Sequence, residues 1–340
     1  MVVQMKDVAR HAGVSLSTVS FVLNKKRSKS ISPETTKRVW ASAQELNYHV
    51  NVHARRLARG KSNFVGLIIS EIANPFFPDV LKGFEKAASE RGLEPLLYNT
   101  EYQPERMEAA VNRMLGEGVR GVAVMTSTFG EEQLKPLAGR RIPVVLLSAG
   151  PNSPKTRKVE IDFSTGMLQA IDHLTALGHK KFGVISGPID VGSAATTRDA
   201  FLAALAKRNL RAEHVIECNY RVDGGMSAVG SLLGQGALPT ALLCGNDLIA
   251  IGAISALQAA NLRVPEDMSV VGVDDIIFAR LSSPPLTTIH VPGEELGKMG
   301  FEALERMRRP SKATVAKQQV RTQLVVRKST AAPRKRSFAR

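Results

Sequence analysis

The 340-residue sequence predicts an α/β protein in which a small three-helix head precedes two doubly wound parallel-sheet subdomains. Three observations lead there. Over the first fifty positions apolar residues follow helical spacing. From residue 63 the pattern changes to short continuous runs of Val, Ile and Leu between helix-length amphipathic stretches, the mark of buried parallel strands in βα units. The net charge of +15 sits at the two ends: residues 1 to 62 hold twelve Lys/Arg against three Asp/Glu, residues 327 to 340 hold six against none, and residues 63 to 326 hold 28 of each sign. A neutral body with a head of net charge +9 fits a phosphate-binding module joined to a module that binds something else.

In the head, Met5, Val8, Ala9 and Ala12 occupy i, i+3, i+4 and i+7, one apolar face of a helix. Gly13 supplies a backbone free to adopt positive φ. Ser15 can cap a second helix, whose inner stripe is Val19, Val22 and Leu23. Two short helices about a glycine turn form a helix-turn-helix, and the second helix presents Leu16, Ser17, Ser20 and Phe21, with Thr18 in its first turn, to the major groove. Ser32 caps a third helix with Pro33 in its first turn. Val39, Trp40, Ala43 and Leu46 or Asn47 are expected to complete the core. The loop Lys25, Lys26, Arg27, Ser28, Lys29 suits the sugar-phosphate backbone, and residues 51 to 59 form a short basic segment.

The ordered motifs Asp7-Val8-Ala9, Ala12-Gly13-Val14-Ser15, Thr18-Val19-Ser20, Leu23-Asn24, Glu45-Leu46-Asn47-Tyr48, and Asn51 with Ala54-Arg55 and Leu57 resemble the headpiece of LacI/GalR-type transcription factors. The resemblance implies DNA contacts from Ser15, Leu16, Ser17, Thr18, Phe21 and Asn24, and from Asn51, Ala54 and Leu57 in a hinge helix that forms on operator DNA. Leu57 would wedge between base steps in the minor groove, a use that physics allows because an apolar wedge kinks and opens the duplex. Phe21 and Leu16 depart from the polar or smaller residues common in the family. Apolar side chains pack on thymine methyls and do not make the bidentate bonds that read purines. Val50 stands where the family usually has proline.

In the body, the runs at 64–69, 95–99, 121–125 and 143–148, then 182–187, 214–218, 241–245 and 269–275, are read as two series of parallel strands. Ligands of such sheets bind beyond the carboxyl ends of the strands. Ser70, Asn74, Ser127, Ser148, Asn246, Asp247, Asp274 and Asp275 fall there. Gly60-Lys61-Ser62 follows no strand and is not a phosphate loop, and no HExxH, CxxC or GxSxG is present. The expectation is therefore a non-enzyme without cofactor, metal or catalytic residues. Cys218 and Cys244 read as buried thiols, no apolar run has the length of a membrane span, and a cytoplasmic location is expected.

The body is also similar to the family's ligand-binding core, itself similar to periplasmic sugar-binding proteins. Asn74-Pro75-Phe76-Phe77, Leu177-Gly178-His179, Asn246-Asp247, Gly272-Val273-Asp274-Asp275 and Pro285-Leu286-Thr287-Thr288 carry the likeness. It implies an effector pocket lined by Phe77, Asp162, Arg198, Tyr220, Asn246 and Asp275, suited to a polyhydroxylated ligand. Phe163 and Ala200 depart from the family's usual asparagine and glycine. The implied organisation is residues 1–50 as the DNA-binding domain, 51–62 as hinge helix and linker, 63–330 as effector-binding and dimerisation core, and 331–340 as a basic tail. The implied function is a homodimeric repressor of a pseudo-palindromic operator, controlled by a sugar-like small molecule. A regulator switched by a protein partner and a solute-binding protein are the alternatives.

Overall fold

The computed structural model describes residues 3–23, 31–48, 62–126, 128–148, 150–151, 153–188, 192–308 and 318–334. The chain divides into two compact units, 1–62 and 63–340. The expectations placed on Asn24, the Lys25 to Lys29 loop, Val50, Asn51, Ala54, Leu57 and Ser127 lie outside the described residues.

Among the described residues of the first unit are α1 (Met5–Ala12), α2 (Leu16–Leu23) and α3 (Pro33–Glu45). Gly13 ends α1 with φ +62°, the left-handed cap that lets its N–H reach back to the Ala9 and Arg10 carbonyls. The Ser15 hydroxyl accepts from the Thr18 N–H at 3.1 Å, and Ser32 does the same for Thr35 at 3.1 Å, so α2 and α3 both start on serine caps. Val8, Ala9, Ala12, Val19, Val22, Leu23, Val39 and Ala43 form the core of this unit. Trp40 does not join it: its side chain is 44% exposed, while Ser42 is buried. With about 100° between successive helical residues, Val39 and Ala43 share the inner face and Trp40 is turned off it, where a core of mostly small side chains leaves its ring outside.

In the second unit the described strands form two six-stranded sheets. The first has the order β11-β5-β4-β3-β1-β2, with β1 Phe64–Ile69, β2 Glu94–Asn99, β3 Val122–Met125, β4 Val144–Leu147, β5 Thr156–Asp162 and β11 Gln318–Arg321. The second has the order β12-β10-β9-β8-β6-β7, with β6 Phe182–Ser186, β7 Ala212–Glu217, β8 Ala241–Cys244, β9 Ser269–Asp274, β10 Thr287–His290 and β12 Gln323–Val325. Pairing is parallel throughout, except that β12 runs antiparallel to β10. The central strands β1, β3, β4, β6, β8 and β9 are almost wholly buried, which is why their sequences are continuous apolar runs.

All eight apolar runs are strands. Strands β5, β10, β11 and β12 carry no such signal, because sequences such as TRKVEID and QQVR mix charge with apolar residues. These four strands are where the chain passes from one sheet to the other. Helix Phe163–Ala176 leads from β5 to β6, helix Gly293–Arg308 follows β10 on the way to β11, and Thr322 joins β11 to β12. Helix Gly293–Arg308 packs on helix Phe76–Ser89 with so little space that a Cβ on Gly83 would lie 1.9 Å from the Glu294 carbonyl oxygen. Only glycine permits that approach. The chain stays attached to the second sheet beyond residue 330: Ala331 O accepts from His179 Nε2 at 2.8 Å, and Arg334 lies 3.4 Å from Asp267.

Candidate functional site

Two surfaces carry polar and aromatic groups that the packing of their own unit does not require. The first is the outer face of α2. Leu16 is 52% and Phe21 41% exposed, although both are large and apolar, and Ser17 is exposed between them. The Ser15 hydroxyl lies 2.7 Å from the Ser17 hydroxyl and 2.8 Å from that of Thr18, so one capping serine also fixes the side chains at the exposed end of the helix. That end offers free N–H groups and a partial positive charge, the ordinary place for a phosphate.

The second is a cleft in the body, between the two sheets and beyond the carboxyl ends of their strands, narrowed to a cavity of about 80 Å³. One wall comes from the first sheet: Ser70 after β1, Tyr102 beyond β2, Thr126 after β3 and Ser148 after β4. The other comes from the second: Tyr220 beyond β7, Gly245 and Asn246 after β8, and Asp274 at the end of β9. Phe76 and Phe77, an edge-to-face pair with centroids 5.8 Å apart, and Phe163 add apolar surface. Ser148 (φ +78°) and Asp274 (φ +113°) hold positive φ, which side chains rarely adopt and which clusters at binding sites.

Of the six residues expected to line the pocket, the cleft brings together Phe77, Tyr220 and Asn246. Asn246 is bonded at both ends of its amide: Oδ1 accepts from Ile249 N at 2.8 Å, capping helix Asp247–Ala259, and Nδ2 donates to Tyr220 O at 3.1 Å. It positions Tyr220 more than it offers a free group. Asp162, Arg198 and Asp275 are not among the residues lining the cleft. Asp162 caps helix Phe163–Ala176, accepting from Ser164 Oγ at 2.5 Å and Thr165 Oγ1 at 2.6 Å. Burial pushes its carboxyl pKa up, but these bonds outweigh that and hold it low. Arg198 Nη2 lies 2.8 Å from the Asp199 carboxylate. Asp275 is held by Arg327 at 2.5 Å and His290 at 3.2 Å, which more than offset its burial and depress its pKa. It ties β9 to the segment after β12.

Asp274, one position earlier, is the aspartate that faces the cleft. Its carboxyl is out of water, near the Asp247 charge, and is relieved only in part by the Asn74 amide, so its pKa is pushed well above the carboxylate range. Asp247 beneath it is fully buried, accepting from Thr288 Oγ1 at 2.5 Å and Ile276 N at 2.9 Å. Burial raises its pKa to about 7. Asp274, shifted toward its neutral form at the wall of the cleft, can donate or accept a hydrogen bond with a neutral ligand without demanding a countercharge. Tyr102 carries no sequence signal because it lies past the end of β2, in a turn where Glu101 (φ +50°) and Tyr102 (φ +59°) both take positive φ. No group of three or more His, Cys, Asp and Glu among the described residues could hold a metal ion, and no helix among them is long and apolar enough to cross a membrane.

Comparison with known proteins finds relatives for both units. Residues 4–51 match the bacterial regulatory proteins of the lacI family, and residues 171–330 match the periplasmic binding protein-like domain. The HTH-type transcriptional repressor PurR of Haemophilus influenzae (strain PittEE) is 35% identical over 331 residues, covering 96% of this chain and 98% of that protein. PurR of Glaesserella parasuis serovar 5 (strain SH0165) is 34% identical over 302 residues, 88% of each. Among solved structures, the lac repressor dimer bound to operator and the anti-inducer ONPF superposes with a TM-score of 0.87 at 27% identity, covering 98% of this chain and 100% of that one. The transcriptional regulator CelR in complex with cellobiose gives 0.71 at 28% identity, covering 96% and 99%.

Proposed function

The chain belongs to the lacI family of bacterial regulatory proteins, and from that premise we propose that it is a homodimeric repressor of transcription whose grip on operator DNA is set by a small molecule held in the body's cleft. The observation that carries this reading is the pairing of an exposed, serine-capped helix in a head of net charge +9 with a cleft, at the carboxyl ends of two parallel sheets, in a neutral body. It works without catalysis, cofactor or metal, and in the cytoplasm, where DNA and metabolites meet. Residues 1–50 would bind DNA, 51–62 would form the hinge and linker, and 63–330 would sense the effector and dimerise.

On DNA, Ser17, Thr18, Leu16 and Phe21 would enter the major groove, with Ser15 and Asn24 at the ends of the helix. The two apolar residues there favour thymine methyls at the positions they touch. Asn51, Ala54 and Leu57 would act in the hinge, and two heads related by the dimer axis would read a pseudo-palindrome. In the cleft, Phe77, Phe163 and the Tyr102–Tyr220 stack offer apolar surface and Asp274 a hydrogen-bonding group, an arrangement suited to a sugar-like ring, whose hydroxyls are polar and whose faces are not. CelR, a relative of known structure, holds cellobiose. An effector that binds one cleft geometry more tightly than another shifts the population competent for DNA. A coupling of about 1–3 kcal/mol gives roughly 5- to 150-fold control.

Calorimetry of the full chain against a panel of monosaccharides and disaccharides tests the effector class. Heat with at least one compound, lost in Asp274→Ala, supports the reading. No heat with any compound sets aside a sugar-like effector.

A further inference from the structure

The two sheets are joined by covalent crossings at one edge, and at the opposite edge they meet through side chains alone. Strands β5, β11, β10 and β12, which carry the crossings, lie at one end of the strand orders, and β2 and β7 lie at the other. Just past that second edge, two contacts span the cleft. Arg221 Nη2, ahead of helix Val222–Leu233, donates to Glu71 Oε2 at 2.7 Å. The rings of Tyr102 and Tyr220 stack with centroids 5.9 Å apart and 18° between planes. Residues 220 and 221 are neighbours, and Glu71 follows Ser70, which lines the cleft together with Tyr102. The two contacts therefore form one structure.

Each half is braced by its own subdomain. Glu71 is buried, and its second oxygen accepts from the Ala73 N–H at 3.3 Å. Arg221 N donates to Asn219 Oδ1 at 3.0 Å, and Asn246 holds the Tyr220 carbonyl. The Tyr220 ring rests on Gly187, where a Cβ would lie 2.2 Å from it. Of the neighbouring charges, Asp223 and Glu101 lie near Arg221 and reinforce its attraction to the acidic side.

We infer that Glu71 and Arg221, with Tyr102 and Tyr220, form a clasp that holds the cleft shut, so that an effector enters and leaves only when the clasp opens. A joint with a hinge at one edge needs a restraint at the other to have a preferred angle, and these contacts supply one at that edge. Both tyrosines line the cleft, so the clasp is also part of its roof.

Hydrogen exchange of the full chain without ligand tests this and does not depend on the identity of any effector. Glu71→Arg and Arg221→Glu should each speed exchange in peptides covering residues 70–77 and 219–226 on the order of tenfold, because like charges then face each other across the gap. The double swap should return both peptides toward the wild-type rate, and a peptide over β8 should be unchanged throughout. Glu71→Gln, which keeps the side chain's shape, should move both peptides in the same direction by less, and serves if a charge reversal fails to fold. Wild-type exchange in both single variants, or a swap that restores nothing, would overturn the clasp. A chain that binds no sugar would still show the swap pattern, so the two readings fail separately.

Discussion

In the head, Leu16 and Phe21 stand in solvent on a helix whose serine cap is already made, whereas in the body Asn246, Asp162 and Asp275 are bonded to their own neighbours. The head presents side chains outward to a partner that brings its own charge and shape. The body surrounds its ligand, so most of its polar groups are spent on building the walls and few remain to touch what lies within. Function in the head is thus carried by exposure, and in the body by enclosure.

The largest expected effect separates the two by salt. With roughly six to ten phosphate contacts from a dimer, operator affinity should fall by about 10³- to 10⁵-fold between 50 and 200 mM salt, while effector binding to the neutral body barely changes. Equal salt sensitivity of both would break the contrast. Next, Leu57→Ala should lower operator affinity more than tenfold by filter binding or anisotropy, with the body's thermal midpoint unchanged. The wedge role is lost if affinity holds.

Within the body, the neighbouring aspartates should part company. Asp274→Ala should weaken effector binding by tenfold or more, whereas Asp275→Ala should chiefly lower the melting temperature by stranding Arg327. Identical phenotypes would show that facing the cleft is not what matters. A smaller effect is expected at the Ser15 cap, where Ser15→Ala should cost the head about 1 kcal/mol in thermal unfolding and leave the body's transition in place.

The smallest concerns pH. An unfolded chain releases the Asp247 proton in the ordinary carboxylate range, but the folded body keeps it until about pH 7. Between those limits the folded state binds the extra proton, so this residue's contribution to stability declines as pH rises toward 7 and levels off above it. Calorimetry should show the body's midpoint dropping by a few degrees from pH 5 to 8, with a flatter profile in Asp247→Asn.

The same contrast explains what the residues disclosed by themselves. Caps and periodicity are local, so Ser15, Ser32, Gly13 and the Val19, Val22, Leu23 stripe could be read directly, and only Trp40 was placed inside when it lies outside. Central strands such as β1 and β8 were legible because both their faces are buried. The crossing strands were not, since β5 and β11 alternate charge with apolar residues along the sheet's edge. Of the residues proposed for the pocket, Phe77, Tyr220 and Asn246 lie in the cleft. Asp274 was noted only as a residue near a strand end, because two adjacent aspartates with positive φ cannot be told apart without the backbone. Tyr102 and Arg221 owe their places to a contact between residues more than a hundred positions apart, which no local pattern encodes.

The division of labour between head and body is tested most directly by mapping where the full chain sits across its genome and footprinting the recovered fragments with and without compounds that the neighbouring genes suggest. The expected result is protection of short pseudo-palindromic sites, with occupancy that changes when one such compound is added. Retention of no double-stranded fragment above background, or protection that no compound alters, would contradict it.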